Sequence, residues 1–268
     1  MRSLWKGAIS FGLVHIPCRL YPATEDHDLH FRQLHRACHA PIEYHKVCPQ
    51  CGDRLAADDI VRGVEVAPGE FVLIEDADLE EMPLATTHTV EIEGFVDLGA
   101  VDPLFFEKPY LVGPADGGAR PYALLRAVLL RTQRAAVAKV AIRTKESLAL
   151  LRVVGDCLVL ELMRYPDEIR DWHDVDGLPG EVALPERELD VATLLVERLT
   201  GPWRPDQYQD NYRGALQTLI ERRALGERVS AAPGPDRAET RHADLLAALE
   251  ASVAAATAQR AQGQAEHQ

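Results

Sequence analysis

The chain has 268 residues, 47% of them hydrophobic, and a formal net charge of −13 at pH 7. This length fits one large domain with an appendage or two modest domains, and the apolar content suffices for a core. No run approaches the roughly 18 apolar residues that a membrane-spanning helix needs, and no apolar stretch follows Arg2 as in a secretory signal. We therefore expect a cytoplasmic protein with no membrane partner.

Positive charge is concentrated in one segment of this acidic chain. Residues 119–152 hold eight basic residues and a single acid, Glu146, which is a net +7 and leaves −20 for the rest. The basic residues, which we call the basic strip, are Arg120, Arg126, Arg131, Arg134, Lys139, Arg143, Lys145 and Arg152. Such a strip on an acidic body is typical of a protein that holds nucleic acid along one surface. An ordinary solvated face is the alternative.

The first segment predicts a strand, because apolar residues recur at every second position. One face would carry Trp5, Gly7, Ile9, Phe11 and Leu13. The two glycines, Gly7 and Gly12, indicate a bulge, a bend or a close backbone approach. Pro17 then predicts either an edge position or a break in the strand.

Short strands and turns continue to residue 163. We predict strands over 71–74, 87–96, 108–112, 137–143, 148–153 and 157–163, with a brief helical turn over 76–82 and a hairpin turn over 144–147. Between them, a helix begins at Pro121 with an apolar stripe of Leu124, Leu125, Val128 and Leu129. Short strands separated by Gly, Pro and Asp predict a β-barrel rather than a βαβ sheet.

The last third of the chain changes to a helical pattern. Helices are predicted over 186–199 and 207–225, then a Pro/Gly/Ala-rich linker over 230–236 and an Ala-rich helix over about 241–258. The final residues have too little apolar content to pack.

Four sequence segments together resemble the bacterial Ku proteins, over residues 1 to about 225. They are W-K-G-A-I-S-F-G-L-V-x-I-P-x-x-L-Y over 5–21, D-P-L-F-F-E-K-P-Y over 102–110, R-Y-P-D-E-I-R over 164–170 and P-D-Q-Y-Q-D over 205–210. Beyond Pro235 there are only three arginines against five acids, so the chain resembles the short-tailed form.

The resemblance implies a mainly β fold with added helices. A Ku-type β-barrel core would span 1–200, with a zinc-binding insertion at about 35–52 and a basic bridge at about 119–152. A C-terminal helical arm would follow at 201–229, and a linker with a short helix and tail at 230–268. It also implies a non-enzymatic homodimeric ring that threads onto double-strand DNA ends and recruits an ATP-dependent multidomain end-joining DNA ligase. Such a protein would act at the nucleoid.

Within the strip, the alternation over 137–143 selects candidates for contact with phosphates. Lys139 and Arg143 share the polar face opposite Ala138, Val140 and Ile142. They are the first candidates, followed by Lys145, Arg134 and Arg131. Arg126 lies on the predicted helix and could equally pair with an acid.

A cluster of metal-ligand residues lies near the N-terminus. His35, Cys38, Cys48 and Cys51 read H-x2-C-x9-C-x2-C and are followed by Gly52. Two x2 pairs joined by a loop suit tetrahedral zinc, and four protein ligands make the site structural rather than catalytic. His39 or His45 could replace His35. Five cysteines in a reducing compartment argue against disulfides, and Cys18 and Cys157 fit core positions.

Catalytic motifs are absent from the sequence: it has no P-loop, G-x-S-x-G, H-E-x-x-H or dinucleotide-binding fingerprint. We therefore expect no enzyme. Two alternatives to DNA-end binding remain open. One is a zinc-ribbon module whose basic strip binds an acidic protein partner, and the other is a metal-dependent hydrolase.

Overall fold

The computed structural model describes residues 1–80, 88–142, 145–226 and 245–265. They form two compact units, residues 1–174 and 175–268. The sequence analysis placed the helix at 186–199 in the core domain, whereas the boundary between the units places it in the second unit. No helix among the described residues is long and apolar enough to cross a membrane.

The first unit is built mainly of strands. Its described strands are β1 (Trp5–Phe11), β2 (Val14–Pro22), β3 (Arg62–Ala67), β4 (Glu70–Ile74), β5 (Thr89–Asp97), β6 (Phe106–Pro114), β7 (Arg134–Ile142), β8 (Lys145–Val154) and β9 (Cys157–Met163). Its described helices are α1 (Asp76–Glu80) and α2 (Ala119–Thr132). The predicted helical turn over 76–82 thus corresponds to α1, and its last two residues lie outside the described part, as does Thr144 of the predicted hairpin turn.

Seven strands close into a barrel in the order β1-β2-β6-β9-β8-β7-β5. Neighbouring strands are antiparallel except β1 and β5, which pair in parallel and close the barrel. The predicted barrel is confirmed. Closure gives every strand a ladder partner on both sides, so no open edge remains in the sheet.

The barrel interior holds the main core. Side chains at alternate positions of every barrel strand, together with three from α2, are buried there; fully enclosed examples are Ile9, Leu20, Val90, Leu151 and Leu160. A smaller cluster forms around Ala135, Leu150 and Met163. At about 1.5–3 kcal/mol for each enclosed aliphatic side chain, this burial is the main stabilising term of the first unit.

The glycine signals in the first strand have structural counterparts. A Cβ on Gly7 would lie 2.1 Å from the carbonyl oxygen of His88, so the backbones approach closely there. Gly12 has φ +57 and turns β1 into β2. Pro17 lies within unbroken β2, opposite Ala8 of β1 and one residue before the pairing with β6 starts at Cys18, so neither the predicted edge position nor a break is observed there. The prediction that Leu13 shares the strand face of Trp5 and Ile9 is wrong, because Leu13 lies beyond the end of β1 at the exposed hairpin tip.

Helix α2 begins two residues before Pro121 and lies on the barrel. It buries Tyr122, Leu125 and Leu129. The predicted stripe is wrong for Leu124 and Val128, which are exposed, since the buried face is narrower and includes the tyrosine.

The second unit contains three described helices: α3 (Glu186–Leu199), α4 (Asn211–Ala224) and α5 (Leu245–Ala265). The bounds of α3 match the prediction. Helix α4 starts four residues late, after a short turn at 205–207, and α5 continues seven residues past the predicted end at 258. The linker over 230–236 and residues 241–244 lie outside the described part.

Candidate nucleic-acid interface and metal-ligand turns

The basic strip follows α2, β7 and β8 across the barrel wall. Arg131 lies in the last turn of α2, Arg134 begins β7 and Lys145 begins β8 opposite Ile142, the last residue of β7. Strand β7 has nine residues, and the eight steps between them at about 3.3 Å each place its two ends roughly 26 Å apart. The candidates therefore span the wall from end to end. Arg143 lies outside the described residues.

Lys139 is held by a neighbouring carboxylate. Its Nζ lies 3.0 Å from Oε1 of Glu93, and the hydrogen bond to Glu93 raises the pKa of the lysine. Glu93 is the extra residue at a register shift between Ile92 and Gly94, so the bulge turns its side chain toward β7. As predicted, Lys139 lies opposite buried Ala138 and Val140, on the outer face of the strand.

Two further candidates have more distant acidic partners. Arg134 lies 3.9 Å from Asp97, its cross-strand neighbour, and Lys145 lies 3.9 Å from Glu168. Both basic side chains are at least half exposed. Pairs of this kind contribute about 0–1 kcal/mol, so a phosphate can replace the carboxylate at small cost.

Three other residues of the basic strip differ in whether a described acid pairs with them: Arg126, Arg152 and Arg131. Arg126 donates to the backbone and side chain of Asp156 at 2.7 and 3.0 Å, which confirms the suggested pairing with an acid. Arg152 donates to Glu161, whose side chain is buried on the barrel wall. Within the described part of the chain, Arg131 has no ion-pair partner and is exposed. The sequence did not indicate the pairing acids, although cross-strand register would have identified Asp97.

The metal-ligand residues lie in an insertion between β2 and β5. His35 Nδ1 is 3.0 Å from Cys38 Sγ, and Cys48 accepts hydrogen bonds from Cys51 and Gln50. Those backbone donors lower the pKa of the Cys48 thiol. Among the described residues, no three histidine, cysteine or acidic side chains are close enough together to hold an ion. The four predicted ligands therefore stand as two pairs.

The other two cysteines differ: Cys18 occupies a core position, as predicted, whereas Cys157 is not one of the buried core residues. Cys18 is fully buried in the barrel, and this burial raises its pKa to about 12. Cys157 is half buried, with Tyr122 Oη 3.8 Å from its sulfur.

An apolar groove lies beside α2 and was not predicted. It has a volume of about 410 Å³ and is lined in part by Phe11, Val14, Phe95, Leu124 and Val128. The rings of Phe11 and Phe95 meet edge to face at 5.3 Å. Leu124 and Val128, the exposed members of the predicted α2 stripe, form one wall of the groove. The apolar stripe in the sequence was therefore the available signal for this groove.

Comparison with known proteins identifies similar chains. A family model for the Ku70/Ku80 β-barrel domain matches residues 10–191. A protein named "Non-homologous end joining protein Ku" from Symbiobacterium thermophilum is 44% identical over 262 residues, which are 97% of this chain and 65% of that protein. Proteins of the same name from Bacillus subtilis and Opitutus terrae are each 42% identical and are covered over 82% and 91% of their lengths. The chain thus spans slightly less than two thirds of the first relative.

Proposed function

The chain belongs to the Ku family, and we propose that it binds the ends of double-stranded DNA without regard to base sequence. One observation carries the proposal: the family match covers residues 10–191, and relatives matched along nearly the whole chain are named for non-homologous end joining. The proposed role is non-catalytic, and it places the protein with the chromosome in the cytoplasm. It holds a broken end during double-strand break repair.

The basic strip provides the DNA contacts in this proposal. Phosphate contacts carry no sequence information, and a protein that binds DNA ends of any sequence needs contacts of this kind. Arg131 has no ion-pair partner among the described residues and can bind phosphate directly, and the distant partners of Arg134 and Lys145 are easily displaced. Lys139 has to give up a 3.0 Å contact, so its contribution is smaller than its position on the strand suggests.

We propose that two copies form a ring. The second unit exposes large aromatic side chains, among them Trp203, Tyr208 and Tyr212, each more than 70% exposed. The rings of Trp203 and Tyr208 stack at 5.0 Å. Tryptophan and tyrosine are enriched in protein interfaces, so this unit has the composition of a dimerisation surface. A closed ring on DNA retains its duplex without base contacts.

The loaded ring, in the same proposal, recruits an ATP-dependent multidomain end-joining DNA ligase. End joining requires a ligation step, and the chain carries no nucleotide-binding motif that could perform it. A separate enzyme must therefore seal the break.

Topology provides the sharpest test. A closed ring can load only by threading from an end, because opening it would break the dimer interface. Purified full-length protein should bind linear duplex of a few tens of base pairs and ignore covalently closed circles of the same sequence. Once the free ends are blocked after loading, the protein should stay trapped. Equal binding to circle and line would refute threading, and a protein-binding zinc ribbon would bind neither.

Charge reversal tests the strip. Lys139→Glu with Arg143→Glu, and separately Arg131→Glu with Arg134→Glu, should weaken binding equally across sequences. Each lost phosphate contact should flatten the salt dependence by about one unit of slope. Arg187→Glu is a control, since this exposed arginine pairs with Glu250 outside the strip. If Arg187→Glu weakens DNA binding as much as either double substitution does, the assignment of the basic strip as the DNA-binding surface is contradicted. Metal-dependent hydrolysis of DNA would instead support the hydrolase alternative.

A further inference from the structure

Three described candidates for phosphate contact have an acid nearby, but only one of these pairs is hydrogen-bonded. Nζ of Lys139 lies 3.0 Å from Oε1 of Glu93, which is hydrogen-bond distance. The acids paired with Arg134 and Lys145 lie 3.9 Å away, which is too far for a hydrogen bond. Glu93 is therefore the carboxylate that holds one of these candidates most closely.

An irregularity in the sheet brings Glu93 to this position. The residue directly opposite Lys139 on β5 is Glu91, yet Lys139 donates its hydrogen bond to Glu93. The register shifts between Ile92 and Gly94, and Glu93 is the extra residue at this bulge. A bulge redirects a side chain and is a feature of the fold rather than a defect. The contact with Lys139 is thus built into the backbone of β5.

The Glu93 carboxylate stabilises the lysine ammonium in the way that a phosphate would. Its hydrogen bond and its charge are the two largest causes of the raised pKa of Lys139, ahead of the charges of Glu146 and Tyr165. Both side chains of the pair keep exposed surface, so a DNA phosphate can approach them. A phosphate that bound Lys139 beside the carboxylate would place two anions within a few ångströms of each other, which is unfavourable. The two acceptors therefore compete for one lysine.

We propose that Glu93 limits the affinity of this protein for duplex DNA by competing with a backbone phosphate for Lys139. This inference rests on the proposed function, in which the basic strip binds DNA. Contact between Lys139 and a phosphate exchanges one anion for another, so it releases fewer counterions than a contact made by an unpaired lysine. Glu93 thus sets the strength of binding without touching DNA itself.

Weakened contact with the barrel wall suits a protein that a closed ring holds on DNA. Closure retains the duplex, so strong attraction to phosphates is not needed for retention. Sequence-independent phosphate contacts let a protein slide along DNA, and each step of sliding has to break them. A built-in competitor at Lys139 lowers that cost.

Substitution of Glu93 in the full-length chain tests the competition. Glu93→Gln keeps the size of the side chain and removes its charge. We expect this variant to bind a linear duplex of a few tens of base pairs about two- to fivefold more tightly, which is the effect of one exposed ion pair. The salt dependence should also steepen, by up to about 0.9 units of slope for each lysine released. Unchanged or weaker binding by Glu93→Gln would overturn the proposal.

Glu91→Gln is the matched control. It removes the same charge from the same strand, at the position directly opposite Lys139. Among the described residues Glu91 forms no ion pair, so its substitution should raise DNA affinity by less than that of Glu93. An equal increase in both variants would show that net charge, and not competition for Lys139, sets the affinity, and would overturn the proposal.

The coupling between the two residues is the more specific measurement. Lys139→Gln should weaken DNA binding more in the Glu93→Gln background than in the wild-type background, because only the former has a lysine without its competitor. Residues in contact commonly show such non-additive effects. Equal effects of Lys139→Gln in the two backgrounds would rule out competition.

Stability separates this proposal from a purely structural role of the pair. Exposed ion pairs contribute little to folding, so Glu93→Gln should keep a thermal midpoint close to that of the wild type. A much lower midpoint with unchanged DNA affinity would make the pair structural and overturn the proposal. If the wild-type chain binds no duplex, the proposed function fails as well. If the wild type binds and Glu93→Gln binds no more tightly, only this inference fails.

Discussion

The barrel and the insertion between β2 and β5 both carry regularly spaced apolar side chains, but of the residues that the structure describes only those of the barrel are buried. Leu151 and Leu160 have no exposed surface, whereas Val64 and Phe71 of the β3–β4 hairpin are about 60% exposed. The barrel gives each strand two neighbours and a shared interior. A two-stranded hairpin has one neighbour and no interior, and such a unit is marginally stable alone. Stability is therefore concentrated in the barrel, and the shape of the insertion depends on its turns.

The largest expected effect comes from the closest backbone approach in the barrel. Gly7→Leu should unfold the protein, because even its Cβ would lie 2.1 Å from a backbone oxygen that cannot move without opening the sheet. We expect a loss above about 3 kcal/mol, seen as a collapse of the thermal transition. Gly94→Ala on β5 is the control, since no atom lies within 4 Å of its added Cβ. Similar losses for both would show that the approach at Gly7 is not tight.

Core truncation compares the two regions directly. Leu160→Ala should lower the free energy of unfolding by about 2–5 kcal/mol, because it removes an enclosed side chain and leaves a cavity. Phe71→Ala should cost less than about 0.5 kcal/mol, since its ring is 62% exposed. Urea unfolding of the full chain measures both values. An equal loss for the two variants would show that the hairpin is buried in solution and would remove the contrast.

A smaller effect should follow from one phenol at the junction of α2 and the barrel. Tyr122 Oη donates to the Val112 carbonyl at 2.7 Å and accepts from the Leu158 N–H at 2.8 Å. Tyr122→Phe leaves that buried N–H unpaired and should cost about 1–3 kcal/mol. Chemical unfolding at neutral pH measures the loss. If Tyr122→Phe leaves the free energy of unfolding unchanged, a water molecule replaces the hydroxyl as the hydrogen-bond partner.

The same tyrosine predicts a pH dependence. Burial raises its pKa from 10.0 to about 12. The unfolded chain therefore releases the Tyr122 proton at lower pH than the folded chain does. The contribution of this phenol to the free energy of unfolding is fully present below pH 10 and is lost as pH rises toward 12. The stability difference between wild type and Tyr122→Phe should narrow across this interval. A constant difference would contradict the raised pKa.

Local sequence patterns predicted most elements of both units, although β3 (Arg62–Ala67) was missed. Alternation identified β1, β5 and β7, and the 3.6-residue period identified α3 with its bounds, since both signals depend only on neighbours in the chain. The order of strands around the barrel was not predicted, because pairing such as β1 with β5 joins residues about 80 positions apart. The resemblance to Ku proteins, rather than a local pattern, identified the predicted barrel as a Ku-type barrel.

For the candidate site, the sequence by itself determined residue type and spacing, and the tertiary structure decided which charges are free. The eight basic residues and the two x2 pairs can be read directly from the chain. The bulge that brings Glu93 to Lys139, and the register that sets Asp97 opposite Arg134, arise only when β5 meets β7. The physical reason is that charge is a property of a residue, whereas its neutralisation depends on atoms brought within a few ångströms by folding.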